Sequence, residues 1–182
     1  MRILGISGSL RAGSHNRALL AAAALDLPPD VGLHEWRGLE TLPAYSEDGD
    51  GRLAPPSVLA LRQALAGADA VLIATPEYNH SIPGALKNAL DWASRPHREN
   101  PLRGKPVAVI GASTGVFGAI WAQAELRKVL KAIGADVIDI ELPVPAAATA
   151  FTAEGRLRDR GQVAALRHII GELTNRTLAC AA

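Results

Sequence analysis

The stretch Arg2-Ile3-Leu4-Gly5-Ile6-Ser7-Gly8-Ser9-Leu10-Arg11-Ala12-Gly13-Ser14-His15-Asn16-Arg17 decides how this chain folds. Arg2–Ser7 is a nearly continuous apolar run, as a strand covered on both faces requires. Gly and Ser follow, and Ala18–Leu25 then carries a helical pattern. A strand, a small-residue turn and a helix in that order make the first unit of a βα repeat. The helix start carries unpaired backbone N–H groups and a partial positive charge, so the turn favours an anion. Ser9 and Ser14 add hydroxyl donors, Asn16 an amide, and Arg11 a planar fork matched to phosphate oxygens. Gly8 and Gly13 allow close backbone approach. The same residues also suit an ordinary capped helix, with Ser14 as N-cap and Arg11 in solvent. The loop has neither the lysine of a Walker A motif nor the Gly-x-Gly-x-x-Gly of a dinucleotide fingerprint.

The pattern repeats outward from there. Val31–Trp36, Ala70–Thr75, Pro106–Ala112 and Asp136–Leu142 read as further strands, the second alternating enough to be an edge. Between them run helical stripes: Val58, Leu61, Leu65 and Ala68; Leu86, Ala89, Leu90 and Ala93 after Pro83, which suits a first-turn position; Leu126, Val129, Leu130 and Ile133, ended by Gly134; and Val163, Leu166, Ile170 and Leu173, capped by Asp159. Five βα repeats predict an α/β fold, a doubly wound parallel sheet with helices on both faces, and residues 1–182 read as a single domain. Two long segments, Arg37–Pro56 and Pro143–Arg158, read as loops, either functional or plain surface excursions.

Composition narrows the class. The chain is 48% hydrophobic and 20% charged but only 4% aromatic, which suits helices on an aliphatic sheet better than a β-sandwich. A net charge of +1 gives no basis for nucleic-acid or membrane partners. Cys180, the one cysteine, lies near the C-terminus and reads as incidental. Met1-Arg2 leads straight into a strand rather than a leader, which predicts a cytoplasmic protein. The histidines show no metal-ligand spacing, so no metal is expected.

The second informative segment is Thr75-Pro76-Glu77-Tyr78-Asn79-His80-Ser81, running on through Lys87-Asn88-Ala89-Leu90-Asp91-Trp92. It too follows a strand. In strand order 2-1-3-4-5 the first and third strands are neighbours, and ligands bind where their chains part. Pro76–Asn79 offer amides, an aromatic face and a side-chain amide, as a flavin ring system would need. Turn formation by Asn79 and Ser81 is the plainer alternative.

Gly8-Ser9-Leu10-Arg11 with Ser14 and Asn16, combined with Pro76–Asn79 and Lys87–Trp92, resembles the NAD(P)H-dependent FMN reductase family, which includes quinone and chromate reductases. Ser113-Thr114-Gly115 and Ala153-Glu154-Gly155-Arg156-Leu157 extend the resemblance along the chain. It implies a flavodoxin-like sheet of order 2-1-3-4-5. It implies that Ser9, Arg11, Ser14 and Asn16 hold the FMN phosphate, that Pro76, Glu77, Tyr78 and Asn79 line the ring, and that Ser113, Thr114 and Gly115 close the site. Gly118-Ala119 departs from the pattern, since many relatives carry two glycines there. The resemblance further implies NAD(P)H as donor, a ping-pong cycle and a small acceptor (a quinone, free flavin, azo compound or metal oxyanion). It also implies homodimers or homotetramers assembled through helices such as those bearing Trp92 and Trp121, two residues that could equally be ordinary core. No catalytic side chain is expected, because the hydride chemistry belongs to the flavin. A flavodoxin-like electron carrier without its own small-molecule substrate is the alternative. His80, beside the proposed ring, is a residue that could touch substrate.

Overall fold

The computed structural model describes residues 1–50 and 54–179 and the backbone of residues 180 and 181. The Cys180 side chain and part of the Arg37–Pro56 segment therefore lie outside the described residues. Four strands lie where the apolar runs predict them: β1 (Arg2–Ser7), β2 (Gly32–Trp36), β3 (Ala70–Thr75) and β4 (Pro106–Ala112). Every strand pairing is parallel, and the order is β2-β1-β3-β4-β5. The partly exposed β2 is an edge.

The predicted fifth strand needs correction. Asp136–Leu142 is not continuous; it begins as β5 (Asp136–Val137), leaves the ladder, and returns as β6 (Pro143–Val144), which also pairs with β4. Pro106 faces Asp136, 30 residues on, whereas Gly111 faces Pro143, 32 residues on, so the outer strand takes up two extra residues. Helix α4 (Ile120–Ala132) stabilises this bulge. The buried Gln123 side chain accepts from Leu142 N–H (3.1 Å) and donates to Gly118 C=O (3.2 Å), replacing ladder bonds. Arg127 pairs with Asp139 and Glu141 on the outward side, and a bond from Lys131 holds the Asp139 carboxyl below the usual range. Ile138 and Leu142 keep both ends of the bulge in the core. The predicted Pro143–Arg158 loop accordingly starts with a strand.

Alternation along the central strands sorts the core onto two faces. Leu4, Ile6, Val71 and Val109 meet α2 (Pro56–Ala66), α3 (Gly84–Ala93) and α4, while Ile3, Leu72 and Ile110 meet α1 (His15–Ala24) and α5 (Arg160–Ala181). The helical stripes face the core as their spacing requires, with Val129, Ile133 and Val163 only partly buried, and Ala68 and Ile133 lie just past the ends of α2 and α4. Pro83 is the N-cap of α3 rather than a first-turn residue. Gly134 follows the α4 C-cap at φ +92°, and Asp159 Oδ1 caps α5 through Gln162 N–H (2.8 Å).

The described part of the Arg37–Pro56 segment is pinned to α3. Asn88 accepts from Tyr45 N–H and donates to Pro43 C=O, and Trp92 Nε1 donates to the same carbonyl (2.9 Å). Trp92 is 1% exposed, so it is core and not an assembly surface; Trp121, 40% exposed, remains available. Among the described residues no helix is long and apolar enough to cross a membrane.

Candidate functional site

Three loops leave the carboxyl ends of β1, β3 and β4 and meet. After β1, Gly8 is pressed against the next loop: a Cβ there would lie 3.0 Å from Leu86 and 3.2 Å from Pro76. Gly13 faces open space, so packing demands glycine only at Gly8. Ser14 is the N-cap of α1; its Oγ accepts from Arg17 N–H (3.2 Å) and lies 3.3 Å from Ser7 Oγ. The N–H groups of His15 and Asn16 thus open the helix without an intrahelical acceptor. Arg11 is exposed and folds back to donate to Gly13 C=O (2.8 Å). Asn16 behaves differently from the expectation. The residue is 2% exposed and its side chain is bonded both ways to Ala112 of β4, with Nδ2 donating to the carbonyl and Oδ1 accepting from the N–H, each at 2.9 Å.

After β3 the chain makes a tight hairpin in which Tyr78 and Ser81 exchange backbone hydrogen bonds of 3.0 Å. Asn79 and His80 occupy its tip with φ of 52° and 58°. Tyr78 stays exposed. After β4, Ser113 N–H donates to Val144 C=O, and Ser113 and Gly115 accept from Ala147 and Ala146, so this loop is hung on the β6 segment.

These elements enclose a cleft of about 120 Å³ lined by Ser9, Arg11, His15, Asn16, Pro76, Glu77, Tyr78, Ala112, Ser113 and Thr114. Three residues expected at the site do not line it. Ser14 faces the helix start, Asn79 is at the hairpin tip, and Gly115 is turned toward Ala146. His80 is exposed and packs edge-on against Trp121 (4.7 Å), outside the cleft lining. His15 and Ala112 were missed by sequence reasoning. The signals were present: His15 is the first residue after the cap, and Ala112 ends the β4 apolar run.

The donor set suits a flavin mononucleotide. Two free helix-start N–H groups, the Ser9 hydroxyl and the Arg11 fork can meet a dianion. Pro76, Tyr78 and the backbone of the two other loops offer a flat wall with polar edges. The site lies between β1 and β3, where the winding of the sheet reverses, the expected ligand crevice of this architecture.

Fold and cleft together define a flavodoxin-like α/β protein built to hold a phosphorylated planar cofactor. Comparison with known proteins makes the class definite. The model of the NADPH-dependent FMN reductase family matches residues 1–149, and the chain belongs to that family. It is 46% identical over 162 residues to an NAD(P)H-dependent FMN reductase of Pseudomonas aeruginosa, covering 87% of this chain and 85% of that one. It is 46% identical over 129 residues to a 2-hydroxy-1,4-benzoquinone reductase of a Burkholderia species, covering 71% and 69%. Among solved structures, the flavoenzyme NAD(P)H:(acceptor) oxidoreductase of Paracoccus denitrificans superimposes with a TM-score of 0.85 at 35% identity, covering 98% of this chain and 97% of that one. The chain is therefore an oxidoreductase of the FMN-dependent, NAD(P)H-using type. A carrier without its own substrate does not fit these relatives.

Proposed function

We propose that residues 1–182 form one FMN-binding domain that oxidises NAD(P)H and reduces a small acceptor, with quinones the first class to test. The observation that carries this reading is the convergence of Ser9 and Arg11, Pro76–Tyr78 and Ser113–Thr114 on one cleft at the β1/β3 crevice. Bound FMN supplies the hydride-accepting and electron-donating chemistry. The chain's own residues supply placement. Ser9, Arg11 and the N–H groups of His15 and Asn16 hold the phosphate, while Ser14 and Asn16 act from behind by fixing the helix start. Pro76, Tyr78 and the Glu77 backbone shape one side of the ring site, with Asn79 at the hairpin tip behind them; Ser113 and Thr114 shape the other, with Gly115 behind them.

Donor and acceptor share the one opening and occupy it in turn. The named quinone reductases among the relatives support quinones; free flavins, azo compounds and metal oxyanions form the rest of the acceptor panel. The protein works in the cytoplasm as a homodimer or homotetramer, with no nucleic-acid or membrane partner. The exposed Val116, Phe117 and Trp121, before and at the start of α4, support assembly there. Anaerobic reduction of FMN-loaded protein by NADH and by NADPH, followed by the acceptor panel, tests the reading. Failure of the chain to bind FMN overturns it.

A further inference from the structure

Helix α4 begins without a cap of its own. Its N-cap residue is Ala119, which offers no side-chain oxygen and sits in the left-handed region at φ 63°. An alanine there leaves the first-turn N–H groups without the oxygen that Ser, Thr, Asn or Asp would bring. The oxygen comes instead from the loop after β3. Glu77 Oε2 accepts from Ala122 N–H at 3.0 Å, 45 residues away, and the Glu77 side chain is only 13% exposed. Its second oxygen lies 3.6 Å from His80 Nδ1. His80 in turn meets the Trp121 ring edge-on, and Trp121 meets Phe117 in the same manner at 4.7 Å. One carboxylate thus reaches both the hairpin tip after β3 and the first turn of α4, and the His80, Trp121 and Phe117 rings pack in series next to it.

We infer that Glu77 is a positioning residue: its carboxylate caps α4 from the loop after β3 and so sets where Phe117 and Trp121 stand relative to the ring site. A negative charge at a helix N-terminus is favoured by the helix dipole as well as by the hydrogen bond. The role follows from where each oxygen goes. Oε2 is spent on α4, and Oε1 faces an imidazole outside the cleft, so the carboxylate governs these rings rather than the cofactor's phosphate. Removing it frees the start of α4 and the rings beside it, while the Ser9–Ser14 loop keeps its own bonds. The kinetic consequence rests on the proposed function; the capping itself does not.

Two measurements test the inference, on wild type, Glu77→Ala and Glu77→Gln, the last retaining an oxygen acceptor. The first is amide hydrogen exchange in the FMN-free chain, referenced to Leu72 in the core. Exchange at Ala122 should rise about tenfold or more in Glu77→Ala, and Glu77→Gln should recover most of the protection. The second is kinetic: in Glu77→Ala the KM for a benzoquinone should rise about fivefold or more while FMN affinity changes less than about threefold. Unchanged Ala122 exchange in Glu77→Ala overturns the inference, as does a Glu77→Gln protein as exchangeable there as Glu77→Ala. An equal loss of FMN and quinone binding also overturns it, by making Glu77 a cofactor contact. A wild-type chain that neither binds FMN nor reduces quinones overturns the proposed function, and the exchange measurement still decides the cap.

Discussion

Asn16 and Ala112 are 96 residues apart in sequence and are joined by a reciprocal pair of 2.9 Å hydrogen bonds, the Asn16 side-chain amide matching the backbone N–H and C=O of Ala112. The pair ties the start of α1 to the carboxyl end of β4, two strands away from β1 in the sheet. It fixes the distance between the loop after β1 and the loop after β4.

Breaking that clasp should cost stability before it costs chemistry. Asn16→Ala leaves two buried backbone groups without partners, at about 1–3 kcal/mol each, so the loss should be roughly 2–6 kcal/mol. Asn16→Asp keeps an acceptor but loses the donor and buries a charge, and it should be at least as harmful at neutral pH. Urea unfolding of the FMN-free variants measures both. A loss under about 1 kcal/mol for Asn16→Ala would show that the clasp is dispensable.

The phosphate loop should make FMN bind far more tightly than riboflavin. Loss of the phosphate forfeits at least two charge-assisted hydrogen bonds of about 1.5–3 kcal/mol each. The gap should therefore be about 3–6 kcal/mol, on the order of a hundred- to ten-thousand-fold in Kd. Arg11→Ala should weaken FMN by about tenfold and leave riboflavin nearly unchanged, which calorimetry with both ligands resolves. Equal affinities of the unmutated protein for the two ligands would remove phosphate capture by this loop.

Gly118 should tolerate no side chain. It sits at φ +58°, and a Cβ would lie 2.5 Å from Val144 N and 2.7 Å from Pro143 C. Both obstacles are backbone of the β6 segment, so relief requires moving the strand. Gly118→Ala should destabilise the protein by about 3 kcal/mol or more and loosen the Ser113–Gly115 side of the cleft. Gly13→Ala, with open space around it, is the matched control: thermal unfolding should separate the two by many degrees. Similar melting temperatures would contradict the packing argument.

Steady-state kinetics should follow a ping-pong pattern, because one cleft must serve donor and acceptor. Double-reciprocal plots of rate against NAD(P)H at several quinone concentrations should be parallel. Intersecting lines would mean that both substrates bind together. His168→Ala, on the exposed side of α5 and absent from the cleft lining, should leave turnover within about twofold.

Several parts of the fold were legible because the physics that determines them is local. The apolar runs of β1, β3 and β4, the stripe of α2, the Gly134 terminator and the Asp159 cap depend on residues within a turn or two of one another. The fifth strand was misread because Asp136–Leu142 has a strand's composition, while its continuity depends on Gln123 and Arg127 from a helix earlier in the chain. Trp92 was open to two readings for the same reason: only its bond to Pro43 and its packing against Tyr45 and Gly49 make it core.

The site divides along the same line. Sequence by itself determined which loops build it, since strand ends followed by Gly8-Ser9 and Pro76–Asn79 carry their chemistry in adjacent residues. Only the tertiary structure decided what each side chain does there. Asn16 looked like a phosphate donor, and Ala112 takes up both ends of its amide; Glu77 looked like a ring contact, and one of its oxygens belongs to Ala122. The physical reason is that a hydrogen-bonding side chain goes to the partner whose burial would otherwise leave it unpaired, and those partners are supplied by strands and helices 45 to 96 residues away.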